Sequence, residues 1–401
     1  MSHVDAPLNS DEVVLRAATL ARAERICAAV MIVAGAASVL GWILDATQFA
    51  ASWLTAFCMV ASLATGSLFF VMAHHVTGAG WSVVLRRLLE NVTRTLPLLS
   101  LMFIPIALNL GRLYTWNDPA RRLGDPSLAH RLLWLGPAFF TLRTLLYILI
   151  WSLFAQRLAR WSSLQDETRD PALSTRMHNL SAPGLLVLAL TTTLAAFDWL
   201  MSLRYAWIST IYGVLFWSGG FVGALALLIL IAYALRSAGI LTRIITAEHY
   251  HDLGKLLIGF TIFWTYISFS QYFLIWYGNL PEETGWYIAR RVGGWNLVSW
   301  ALPIGHFVIP FFALLRRSVK RNPQALAAIA AWLLAFHYLD LYWQAAPTFA
   351  TQGPRPHWLD VATLATMFAA SAFVFLRACR NRPLVPVGDP RLGESLAFKN
   401  L

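Results

Sequence analysis

Runs of about 20 apolar residues, the length that crosses a bilayer, recur ten times along this chain of 401 residues. They fall at roughly 25–44, 50–73, 96–114, 132–154, 183–203, 207–235, 255–277, 294–315, 324–343 and 357–378. In hydrocarbon a backbone must satisfy its own N–H and C=O groups, so runs of this length fold as helices. Only 13% of the residues are charged, against about 25% in a soluble domain. The sequence therefore predicts an all-α polytopic membrane protein. Residues 1–24 form an N-terminal segment, 25–378 a ten-helix transmembrane domain and 379–401 a C-terminal tail.

Ten spans put both termini on one side. With that side cytoplasmic, the inner loops and termini hold 22 Lys and Arg and the outer loops 8, as the positive-inside rule requires. Topology thus accounts for the net charge of +11, and no nucleic-acid partner is expected. Cys27, Cys58 and Cys379 lie far apart without CxxC spacing and read as small apolar residues, not a disulfide, zinc or iron–sulfur site. The first residues are polar and partly acidic, unlike a cleaved signal peptide. Residues 81–94, WSVVLRRLLENVTR, are amphipathic and are expected to lie at the membrane interface. An outer loop over 111–131 carries four arginines, and Trp116, Trp134, Trp207, Trp286 and Trp343 suit an interfacial belt. Pro97, Pro105, Pro137, Pro303 and Pro310 fall within or beside spans, where each frees a carbonyl that needs another partner.

Ionisable groups at membrane depth cost about 2.5–3.5 kcal/mol each on insertion scales, which makes them the first candidates for chemistry. His251, Asp252 and Lys255 stand at the inner end, Arg143, His306 and His337 near the middle, and Asp198, Asp340 and Asp360 towards the outside. In the seventh span Thr261, Thr265, Ser268 and Tyr272 recur at steps of four, three and four, a polar stripe on one face. Sorted by depth, Asp252, Lys255, Arg143, His306, His337, Asp198 and Asp340 form a ladder that the stripe would join into a proton pathway. The competing reading is that each is a satisfied interior group, with Arg143 paired to a carboxylate. A b-type haem would need facing histidines at one depth; His306 and His337 fall at different depths, and CxxCH is absent, so no cofactor is expected on this chain. Gln271, Tyr272, Trp276 and Tyr277 would serve a quinone cleft, but an ordinary aromatic belt is the preferred reading. A stand-alone secondary transporter is a further alternative, without a convincing inverted repeat to support it.

Three stretches go beyond composition. They are FDWLMSL at 197–203 with STIYGV at 209–214, FSQYFLIWY at 269–277 with NLPEET at 279–284, and VTGAGWSV at 76–83 before Arg86-Arg87. Together they resemble the ActF subunits of bacterial alternative complex III, relatives of the NrfD/polysulfide-reductase membrane subunits, over about residues 25 to 380. The resemblance implies two four-helix bundles with peripheral helices in the bacterial inner membrane. It implies a complex that oxidises quinol and reduces cytochrome c or a terminal oxidase. The partners it implies are ActA and ActE with haem c, ActB with iron–sulfur clusters, ActC with the quinol pocket, and ActD. A subunit of this kind contributes structure and a candidate proton passage. Of the candidate residues, Asp198, Gln271, Tyr272, Trp276 and Tyr277, with Glu282 and Glu283, lie inside the matching motifs.

Overall fold

The computed structural model describes residues 10–118, 128 and 133–400. Among these there is no strand, and ten helices are long and apolar enough to cross a membrane. They are α1 (Ala17–Leu44), α2 (Ala46–Thr77), α3 (Val83–Leu108), α4 (Pro137–Thr168), α5 (Ala172–Trp199), α6 (Tyr212–Ser237), α7 (Ala247–Gly278), α8 (Trp295–Leu315), α9 (Pro323–Ala345) and α10 (Trp358–Cys379). A multi-pass membrane protein is the class they define. Several helices outrun their apolar runs: α4 continues to Thr168 and α7 begins at Ala247, because polar residues extend a helix as readily as apolar ones. Large apolar side chains such as Leu101, Leu146, Leu190, Phe269 and Leu297 point outward, as lipid-facing positions do.

Helices α2 and α6 pack against each other at the centre, and α2 is buried along nearly its whole length. Their backbones nearly touch. A Cβ on Gly66 would meet the Gly220 carbonyl oxygen at 2.6 Å, and one on Gly220 would meet that of Ser62 at 2.8 Å, so only glycine fits either position. Helices α3, α4 and α5 gather on α2, while α7 and α9 pack on α6 and α8 closes against α7 and α9. The pair α1 and α10 lies together against α2.

The amphipathic segment 81–94 is not a lipid-surface helix. Every residue of Val83–Thr93 is buried inside the protein, a correction to the sequence expectation. Its polar face is covered by opposite charge. Arg86 donates to Glu90 at 2.8 Å and to Asp389 at 2.6 Å, and Arg87 donates to Asp166 at 2.7 Å and pairs with Glu90 at 3.0 Å. Asp389 belongs to the C-terminal tail, which is ordered against the bundle: Leu384 and Val385 are fully buried, and the Leu384 N–H donates to the Val13 carbonyl at 2.7 Å. The two described chain ends therefore meet at one end of the bundle.

The prolines divide by position. Pro137 opens α4 and Pro97 stands in the turn over 94–97 that divides α3, just before its second helical segment, Leu98–Leu108, whereas Pro105 and Pro183 sit inside helices. Pro303 begins a π-helical turn, Pro303–Val308, in the middle of α8. Most of the outer loop over 111–131 lies outside the described residues.

Candidate functional site

Besides the charged cluster around Arg86, two buried polar sites among the described residues gather sequence candidates, one between α4 and α5 and one among α6, α7, α8 and α9. In the first, Arg143 forks onto Asp198, Nη2 to Oδ1 at 2.7 Å and Nε to Oδ2 at 3.0 Å. Tyr147 Oη donates to Oδ2 at 3.0 Å and Trp134 Nε1 to Oδ1 at 3.1 Å. The remaining guanidinium nitrogen donates to the Trp134 carbonyl at 2.5 Å, and the Trp134 and Phe139 rings lie 4.1 and 4.4 Å from the guanidinium carbon. Each carboxylate oxygen accepts two bonds. A pair so fully partnered ties α4 to α5, as the satisfied-interior reading of Arg143 expects.

The second site is built around Trp264 of α7. Its Nε1 donates to Asp340 Oδ2 at 3.2 Å, and its ring stands edge-on to His306 with centroids 3.9 Å apart. A Cβ on Gly219 would lie 3.1 Å from His337 Nδ1 and 3.5 Å from Trp264 Cδ1, so the His337 and Trp264 rings meet at that glycine. His337 Nε2 sits 2.8 Å from Ser62 Oγ, whose hydroxyl lies 2.8 Å from the Met59 carbonyl. With that proton given to Met59, Ser62 accepts from Nε2, which leaves His337 Nδ1 as the unprotonated nitrogen. That Nδ1 and both nitrogens of His306 are buried without a hydrogen-bond partner among the described residues. His306 lies in the π-helical turn, a distortion that frequently marks functional positions. Here His306, His337 and Asp340 come together around Trp264, although the sequence set them at different depths, and Asp198 and Arg143 pair elsewhere.

The seventh-span stripe lies beside this site, not along its centre. The most buried face of α7 is Thr261, Trp264, Ile267, Gln271 and Ile275. Thr261 donates to the Leu257 carbonyl at 2.7 Å and Thr265 to the Thr261 carbonyl at 2.9 Å, so the helix itself satisfies both hydroxyls. Ser268 and Tyr272 are half-buried, and the Tyr272 hydroxyl accepts from Arg291.

The four residues Gln271, Tyr272, Trp276 and Tyr277 do not share one enclosed cleft: Trp276 and Tyr277 are exposed, whereas Gln271 is buried and Tyr272 half-buried. Gln271 accepts from Ser209 at 2.9 Å and donates to Tyr287 Oη at 3.1 Å. At the chain-end side, Lys255 pairs with Asp252 at the surface and donates to Asn400 at 2.9 Å. His251 stands beside this pair at the same end of α7. Asp360 caps α10, accepting from the His357 N–H at 2.9 Å and from Ser52 at 2.5 Å.

Sequence reasoning passed over Arg290. It is fully buried, its guanidinium carbon is 3.3 Å from the Trp286 ring centroid, and it donates to the carbonyls of Trp286, Trp343 and Gln344 at 2.9, 3.0 and 2.6 Å. Two of these carbonyls terminate α9, where the helix dipole is negative. Among the described residues no carboxylate pairs with it, and burial pushes its pKa down to about 9. Trp286 four residues before Arg290 is the spacing that signalled it.

Among the described residues no three His, Cys, Asp or Glu side chains gather as a metal site would need. No protein-family model matches the chain, and no curated protein matches it.

Proposed function

We propose that this chain is a membrane subunit of a quinol-oxidising respiratory complex of the alternative complex III type. It holds no redox centre, braces the assembly and passes protons through the α6–α9 helices. The observation that carries the proton role is the site around Trp264. Three titratable side chains converge there, three of their nitrogens are buried without partners among the described residues, and the anchors are the Trp264 indole N–H on Asp340 and the Ser62 hydroxyl at His337 Nε2. Water admitted to such a site gives His306, His337 and Asp340 the partners a relay requires.

The helix packing supports the wider reading. Helices α2–α5 and α6–α9 as two four-helix bundles, with α1 and α10 peripheral, are the plan that the resemblance implies. Both termini are placed in the cytoplasm of a bacterium, with the Pro281-Glu282-Glu283 turn outside, as the Lys and Arg distribution indicates. Haem c, iron–sulfur clusters and quinol belong to partner subunits in this reading.

Tagged chain purified from its own membranes in mild detergent tests the assembly. The expected preparation absorbs as c-type haem and oxidises quinol. A homogeneous preparation without haem absorbance would overturn the respiratory reading and favour a stand-alone transporter.

A further inference from the structure

A recess of about 610 Å³ opens between α3 and α4 towards the chain ends, away from both polar sites. Arg94, Arg160 and Arg382 line it with Gln156, Ser163 and Glu167. Three guanidinium groups thus face one carboxylate. None of the three arginines forms an ion pair among the described residues, and Arg94 Nε is buried without an acceptor. The neighbouring carboxylates are already engaged, Glu90 by Arg86 and Arg87 and Asp166 by Arg87. The contrast is local. About two turns away this protein pairs its buried Arg86 and Arg87 with carboxylates, and at the recess it leaves the positive charge unanswered.

The wall beyond the recess is apolar. On the same two helices, towards the far end of the bundle, Leu101, Ile104, Leu149 and Leu153 are exposed. A basic mouth beneath a lipid-facing apolar groove has two requirements, an anion and hydrocarbon. We infer that this recess binds the headgroup of an anionic phospholipid, its phosphate held by Arg94, Arg160 and Arg382 and its acyl chains laid along α3 and α4. Guanidinium forks match phosphate oxygens, and basic pockets between helices at the cytoplasmic interface hold such headgroups. Gln156 and Ser163 supply neutral hydrogen-bonding groups for the glycerol or headgroup hydroxyls. The inference does not depend on the respiratory reading, because the site lies within this chain alone.

The test is native mass spectrometry of the intact protein, in whatever assembly it purifies, after delipidation and addition of phosphatidylglycerol or phosphatidylcholine. Phosphatidylglycerol is expected to bind, phosphatidylcholine at least about tenfold less, with the R160Q/R382Q variant losing about tenfold and R316Q, remote from the recess, losing nothing. Equal binding of the two lipids, or an unchanged R160Q/R382Q variant, would overturn the inference. Displacement of the lipid by millimolar inorganic phosphate would also overturn it, in favour of a soluble anion. Should the double variant not fold, the wild-type protein decides: binding of phosphatidylglycerol that does not weaken as KCl rises contradicts a site built on charge.

Discussion

The Arg143–Asp198 site and the His306–His337–Asp340 site each centre on a buried aspartate held by an indole N–H, Trp134 to Asp198 at 3.1 Å and Trp264 to Asp340 at 3.2 Å. They differ in everything else. Asp198 adds a bidentate guanidinium and a tyrosine hydroxyl, so its charge is answered and fixed. Asp340 forms no ion pair with any described cation, and the histidines beside it keep bare nitrogens. Burial alone therefore does not mark a functional charge. What separates the two sites is whether the partners present exhaust the hydrogen-bonding capacity of the group.

Removing one partner from each site tests that distinction. Asp198→Ala strands the Arg143 guanidinium and is expected to cost about 3–5 kcal/mol, read as a large fall in the unfolding midpoint in detergent. Gly220→Ala is next: the new methyl would meet Ser62 backbone and Cβ at 2.8 and 2.9 Å, and the expected loss is about 1–3 kcal/mol. Because that shift moves Ser62 away from His337, the same variant should disturb proton handling, whereas Asp198→Ala should act through stability. Asp340→Asn keeps the shape and the Trp264 bond and is expected to cost no more than about 1 kcal/mol. A midpoint loss as large as that of Asp198→Ala would erase the difference between the sites. Lys255→Gln is expected to change stability by under about 1 kcal/mol and to leave proton handling intact, since its ion pair with Asp252 is solvent-facing.

The spans were legible because a bilayer demands length and apolarity, and both are written residue by residue. His306, His337 and Asp340 were legible too, as rare ionisable groups inside apolar runs. The segment 81–94 was misread because an amphipathic helix has the same pattern whether its polar face meets headgroups or the carboxylates of Asp166 and Asp389, and those partners lie far away in sequence. A paired Arg143 was among the sequence readings, but which carboxylate closes on it was not legible, because Asp198 is 55 residues away. Trp264 as the hub was hidden among many tryptophans. Gly219 and Gly223, four residues apart, offered an unused sign of close helix packing beside His337.

The central claim is that the α6–α9 site carries protons and the α4–α5 site does not. It is tested most directly by the proton-to-electron ratio of the intact complex in proteoliposomes, with His337→Leu and Asp340→Asn combined. The account predicts a lowered ratio with quinol oxidation retained. A ratio equal to that of the unaltered complex would contradict it.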